Sequence, residues 1–211
     1  MLQLQAMLNL SLTVLLVLSI HNVGSQATTL ALYNKCKQTV WPGIQPSAGR
    51  PVLARGGFRL LPNQAYSIRL PAGWSGRIWG RQDCSFDPAT GRGHCATGDC
   101  GGTLYCNGAG GAPPATLAEI TIGEQDFYDV SLVDGYNLAI SMTPFRGKGK
   151  CGYAGCVSDL NEVCPAGLAV RSGERRAASP ESMRESGFAV VGARQLEQIK
   201  ERKWAGGDGE G

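Results

Sequence analysis

Gly91-Arg92-Gly93-His94-Cys95-Ala96-Thr97-Gly98-Asp99-Cys100-Gly101-Gly102-Thr103-Leu104-Tyr105-Cys106 decides the fold of this chain. Three cysteines and five glycines fall within these sixteen residues, and Cys84 stands just upstream. A helix is ruled out, because glycine costs about 1 kcal/mol per helical position relative to alanine. A long flat strand is ruled out as well, since glycine has no side chain to pack and marks bends and bulges. What remains is a set of tight loops held by cysteine chemistry. Zinc sites favour cysteine pairs two to four residues apart, whereas the gaps here are ten, four and five residues. Disulfides fit better than a metal, provided the chain enters an oxidising compartment.

The amino terminus supplies that condition. Residues 10–20 are an apolar run rich in Leu and Val, too short for a membrane span of about 20 residues. Small and polar residues follow, Val23-Gly24-Ser25-Gln26-Ala27. The pattern predicts a secretory signal peptide over residues 1–25, although no Lys or Arg precedes the apolar run. Asn9-Leu10-Ser11 lies inside that leader, and no other Asn-x-Ser/Thr site follows, so no N-glycan is expected.

The window from Gly91 to Cys106 resembles the signature of the thaumatin-like proteins, the pathogenesis-related family that includes osmotin and zeamatin. That signature runs Gly-x-Gly-x-Cys-x-Thr-Gly-Asp-Cys, then Gly-Gly, then Cys, and every fixed position is matched here. Two earlier segments resemble the same family. Asn34-Lys35-Cys36 followed by Thr39-Val40-Trp41-Pro42 is similar to its first hairpin, and Gly76-Arg77-Ile78-Trp79-Gly80-Arg81 leads to the cysteine cluster. The resemblance implies the pairings Cys84–Cys95 and Cys100–Cys106.

Periodicity gives an all-β reading on its own. Residues 28–34 are rich in strand formers, and residues 65–70 alternate cleanly, as a strand half exposed to water should. Thr39-Val40-Trp41 reads as a strand ended by Pro42-Gly43. Residues 76–81, 116–122 and 126–132 follow, with Asp134-Gly135 as a turn and residues 136–142 as a further strand. Short strands with frequent turn signals predict a β-sandwich, and the resemblance narrows it to a flattened antiparallel sandwich containing disulfides.

Charge gathers in one place. The net charge of +3 gives no basic footprint for nucleic acid. Glu119, Glu124, Asp126, Asp129 and Asp134 are half of the ten acidic residues in 26–170. If their strands are neighbours, several carboxylates share one surface and repel, which raises the pKa of one or more. The plainer reading is a solvated loop at Glu124 and Asp126 and an ordinary turn at Asp134. The family resemblance implies an acidic cleft lined by one Arg, one Glu and three Asp. Arg77, Glu119, Asp129 and Asp134 match four of those positions, and no counterpart of the third Asp is found.

The resemblance continues through Cys151, Cys156 and Cys164 and stops at Val170. Residues 26–170 are thus expected to form a partial thaumatin-like domain, with most of its Cys-rich second domain missing. No cysteine follows Cys164, so Cys36, Cys151, Cys156 and Cys164 are expected to lose the partners the family would give them. They would then mispair, stay free or link two chains. Residues 171–211 carry eight basic and seven acidic side chains and are expected to be a divergent charged tail. Ser179 with Pro180 would cap a short helix there; disorder is the alternative. The missing carboxyl-terminal strand would leave an unpaired sheet edge.

Implied by the resemblance is a secreted antifungal protein that binds fungal-wall β-1,3-glucan through the cleft or disturbs membranes, with Tyr128 as a candidate for stacking on sugar. A weak endo-β-1,3-glucanase using Glu119 as acid with Asp134 or Asp129 as base is one alternative, and an inactive truncated isoform is another. No cofactor or metal is expected, and the chain is expected to be a monomer unless the four cysteines link copies. His21 lies in the leader, His94 stands alone and no Gly-x-Ser-x-Gly occurs, so triad hydrolase chemistry has no support.

Overall fold

The computed structural model describes residues 28–145, 151–156, 158–167, 169–172 and 175–178. The expected leader and the Ser179–Pro180 helix start lie outside them. Among the described residues there is no α-helix, only a single 3-10 turn at Ala54–Gly56 and antiparallel strands.

The chain order is β1 (Thr28–Tyr33), β2 (Trp41–Pro46), β3 (Ala65–Leu70), β4 (Ser75–Arg81), β5 (Ser85–Phe86), β6 (Gly93–His94), β7 (Leu117–Thr121), β8 (Phe127–Ser131), β9 (Ser141–Met142), β10 (Ala154–Gly155), β11 (Ala169–Ser172) and β12 (Arg175–Ala178). The main sheet has four strands in the order β2-β4-β7-β8. A second sheet pairs β1 with β3, Leu30 opposite Ile68. The two sheets are the halves of a sandwich. Leu30 and Leu32 of β1 and Ile68 and Leu70 of β3 pack against Ile44, Ile78 and Ile120 of the main sheet, with Trp74 fully buried between them. The fully buried members of this set each gain about 1.5–3 kcal/mol from leaving water, and the half-buried Leu30 and Leu32 gain less. The Trp74 indole N–H donates to the Pro51 carbonyl at 3.0 Å, so its polar edge is satisfied as well.

β2 departs from expectation. Pro42-Gly43 predicts a turn, yet the strand runs straight through both residues. Two physical reasons apply. β2 is the edge strand of the main sheet, where a missing N–H is tolerated. And Gly43 lies directly under the Trp79 indole, where any Cβ would collide with the ring. Residues 136–142 shrink to the two-residue β9, because the backbone N–H groups of Asn137 and Leu138 donate to Thr116 Oγ1 and the Asn137 carbonyl accepts from the Asn161 side chain instead of a ladder. Beyond Val170, β11 and β12 form an antiparallel hairpin, Val170 opposite Ala177, so residues 171–172 and 175–178 are strand rather than helix or coil. Among the described residues β8 pairs on one side only, with β7.

Cys84–Cys95 and Cys100–Cys106 are both disulfide-bonded. The loop they fix covers part of the outer face of the main sheet. There Trp79, Leu117, Ala115, Cys100 and Cys106 form a second buried cluster. Arg81 ties the loop to the sheet and is itself completely buried. Its guanidinium donates to the carbonyls of Trp41 (3.0 Å), Thr103 (2.9 Å), Leu104 (2.7 Å) and Pro42 (3.3 Å). Burial lowers its pKa to about 10, with the Asp99 carboxylate acting in the opposite direction. Asp99 in turn accepts from the backbone N–H groups of Cys95, Gly101 and Gly102. The side chain of Asn137 closes the assembly, donating to Gly80 O and Thr97 Oγ1 and accepting from Thr116 N.

Candidate functional site

Strand periodicity gives the main sheet two unlike faces. Ile44, Ile78, Ala118 and Val130 stand opposite one another across its four strands and face the core. One residue out of phase, Gln45, Arg77, Glu119 and Asp129 stand opposite one another and face outward. Two residues further along each strand on that outer face, Gly43, Trp79, Leu117 and Ser131 form the next row, buried under the disulfide-bonded loop. In the other direction come Ser75, Thr121 and Phe127.

The loop therefore stops at the polar row, and a cleft of about 200 Å³ opens there. Ser47, Arg77, Glu119, Thr121, Phe127 and Asp129 supply its side-chain lining, with Gly76 and Ile120 between them. Gly110 of the loop abuts the Gln45 side chain and forms the boundary on the covered side.

Asp134 reaches the row from the turn after β8. That turn is closed by the Gly135 N–H donating to Leu132 O at 3.0 Å, and by Ala115 N donating to Asp134 O at 2.8 Å. The Asp134 carboxylate lies 3.8 Å from the Arg77 guanidinium, both side chains being more than one-third exposed. The four predicted residues thus come together: three in one cross-strand row and the fourth through an ion pair. Glu124 and Asp126 do not join them. They stand on the exposed β7–β8 connection, where Asp126 accepts from Gly123 N at 3.1 Å.

Directly opposed carboxylates, Glu119 and Asp129, flanked by one guanidinium, combine several acceptors with one group of N–H donors. Such a set suits a polyhydroxyl compound. Among the described residues no group of His, Cys, Asp and Glu is arranged to hold a metal ion.

Tyr128 is not in the cleft. It pairs with Ile120 on the core face, and its hydroxyl donates to the Gly152 carbonyl at 2.6 Å. The aromatic ring that lines the cleft is its neighbour Phe127. Counting two back from Asp129 and two on from Glu119 would have found Phe127 and Thr121; nothing in the sequence flags Ser47.

A second polar centre lies beneath Tyr136, with Leu132, Cys156, Leu160 and Cys164 packed around its ring. The Tyr136 hydroxyl donates to the Asp159 carboxylate at 3.2 Å and accepts from Leu160 N at 3.1 Å. Cys156 is half-buried there and Cys151 is exposed, and both are free thiols. Burial pushes the Cys156 thiol above its ordinary pKa.

The family model described as the thaumatin family matches residues 34–189, and so extends past Val170. A thaumatin-like protein of Arabidopsis thaliana is 66% identical over 168 residues, covering 79% of this chain and 68% of that protein. A pathogenesis-related thaumatin-like protein 3.5 of Cryptomeria japonica is 56% identical over 146 residues, covering 69% of this chain and 60% of that protein. The solved structure of a thaumatin-like xylanase inhibitor is 38% identical, covers 52% of this chain and 71% of that one, and superposes with a TM-score of 0.44. The chain thus spans about two thirds or less of the length of these two plant relatives.

Proposed function

This chain belongs to the thaumatin family, and from that premise we propose that it is a secreted plant defence protein whose cleft binds the β-1,3-glucan of fungal walls. The observation that carries the reading is the cross-strand row Arg77–Glu119–Asp129 with Asp134 at its end. Sugar hydroxyls donate to carboxylates, and the guanidinium donates to sugar oxygens. The Arg77–Asp134 ion pair, exposed on both sides, is worth at most about 1 kcal/mol to folding. Relatives whose names carry "pathogenesis-related" support the defence setting.

The test is retention on insoluble β-1,3-glucan by wild type and by Asp134→Asn. Wild type should be retained, and the variant should bind more weakly while melting within a few degrees of wild type. A folded wild type that washes through overturns the reading.

Hydrolysis is a second reading, favoured by the register that sets Glu119 directly opposite Asp129. Two carboxylates flanking a glycosidic bond are the usual apparatus. Release of reducing sugar from β-1,3-glucan by wild type, lost in Glu119→Gln, would establish it; equal release by both would remove it.

A further inference from the structure

The small net charge of the chain conceals a segregation. Residues 28–82 carry eight Lys and Arg and no Asp or Glu, whereas residues 83–145 carry eight Asp and Glu and one Arg. The acid-free stretch supplies both strands of the β1–β3 sheet. Leu30, Leu32, Ile68 and Leu70 of that sheet turn inward to the core, so its other side faces water across the sandwich from the cleft.

Three cross-strand pairs make up this outer face: Thr29 opposite Arg69, Ala31 opposite Ser67, and Tyr33 opposite Ala65. All six residues are exposed. The alternation of β1 continues past its end, with Asn34 buried and Lys35 and Lys37 exposed. Asn34 also gathers the neighbouring chain. Its side-chain amide donates to Gln38 O at 2.9 Å and to Leu60 O at 3.0 Å, which brings the exposed Arg59 to the same end. The result is a strip about 20 Å long, the reach of a six-residue strand, with Arg69 at one end and Lys35, Lys37 and Arg59 at the other. Among the described residues none of these four cations forms an ion pair, and the hydroxyls of Thr29, Tyr33 and Ser67 make no hydrogen bond.

We propose that this strip is a docking surface for a linear acidic polysaccharide, a polymer such as polygalacturonate that carries one carboxylate on each sugar residue. A chain laid along the strands meets cations at both ends. Between them, the protein hydroxyls both donate and accept, as sugar hydroxyls do. An anionic membrane fits less well, because binding there draws on inserted apolar area, and the only large side chain among the three cross-strand pairs is Tyr33, which ends in a hydroxyl. The acidic row on the opposite side repels the same polymer, so the field of the whole protein turns the basic strip toward it. Neither this face nor its ligand involves the cleft or the glucan reading.

The experiment titrates soluble polygalacturonate, and the same polymer fully methyl-esterified, into wild type and four folded variants with matched melting temperatures. Wild type should bind the acidic polymer, lose affinity as salt rises past about 0.1 M, where charges are screened over about 10 Å, and ignore the ester. The triple variant Lys35→Gln, Lys37→Gln, Arg59→Gln should bind roughly tenfold more weakly or worse, with a shallower salt dependence. Ser67→Glu, which sets a carboxylate in the middle of the strip, should weaken binding as far without removing a cation. Arg92→Gln, which removes one cation from the disulfide-bonded loop, and Asp134→Asn in the cleft should both stay within about twofold of wild type, the scale of a non-contacting charge change. Wild-type affinity in the triple variant or in Ser67→Glu refutes the strip. Equal losses in Arg92→Gln and the triple variant would mean that overall charge, not this face, attracts the polymer. Equal binding of the ester would remove the charge complement. Tighter binding to phosphatidylglycerol vesicles than to polygalacturonate would overturn the choice of partner. A wild type that binds no acidic polymer overturns the proposal and leaves the glucan reading standing.

Discussion

Tyr136 shows how one hydroxyl ties a late segment of the chain to the sandwich. Its ring is 1% exposed, and its O–H bridges Asp159 and Leu160 N. Burial raises its pKa above the ordinary value near 10, and the Asp159 carboxylate adds to the rise against the opposing Leu160 N–H. The unfolded chain gives up this proton first as the pH climbs, so it binds fewer protons than the native state and stability falls. The Tyr136 contribution is therefore whole below about pH 10 and is lost progressively above it. Tyr136→Phe should cost about 1 kcal/mol at neutral pH through the lost hydrogen bonds, and its melting temperature should decline less steeply between about pH 9 and pH 11. Scanning calorimetry across that range measures both, and parallel declines for the two proteins would contradict the account. At this scale sequence and structure agree unevenly. Arg77, Glu119, Asp129 and Asp134 were legible because a motif names them. Arg81, in the same hexapeptide as Arg77, is indistinguishable from it by residue type. One faces water and the other is wholly buried, because strand alternation past Trp79 carries it under the disulfide-bonded loop. The two share one face of β4, so distance along the strand decides, and how far the cover reaches is invisible until the loop is placed.

Among the elements, the loop over Trp79 has most to lose. It contributes two half-cystines, Cys100 and Cys106, to the cluster around Trp79 and Leu117. The Trp79 indole N–H donates to Gly98 O at 2.7 Å, and Gly98 has φ of +69°, a conformation that favours glycine. Replacing Cys100 and Cys106 together by Ala should lower stability by roughly 2–4 kcal/mol, the lost loop constraint plus lost packing. Trp79 emission should shift to the red as the loop loosens, and hydrogen exchange should rise in residues 91–115 while β1 and β3 keep their protection. Uniformly raised exchange would mean that the loop and the distant sheet unfold as one unit. The strands themselves were read well where alternation is clean, as in Ala65–Leu70. They were misread at Pro42-Gly43, since turn residues on an edge strand carry the same letters as turn residues in a turn.

For the molecule as a whole, the thiols give the sharpest test. Cys151 is exposed, Cys156 is half-buried with a raised pKa, and four other cysteines are in disulfides. Iodoacetamide applied to the native protein should therefore label Cys151 first and Cys156 slowly, and should leave Cys84, Cys95, Cys100 and Cys106 untouched. Timed mass mapping reads the order; equal rates at Cys151 and Cys156 would show that the Tyr136 cluster does not protect the thiol. The sandwich was foreseeable from short alternating strands and the glycine–cysteine window. The β11–β12 hairpin was not, because Arg175-Arg176 and their neighbours lack the alternation of a half-buried strand. The four-stranded sheet also has a bearing on inheritance. Arg77 adjoins Ile78, Glu119 sits between Ala118 and Ile120, and Asp129 sits between Tyr128 and Val130. Loss or gain of a single codon inside any of these strands would send a charged group inward and an apolar one out. Descendants of this gene can exchange letters at these positions, but they cannot change the spacing without giving up the polar row and the interior in one step.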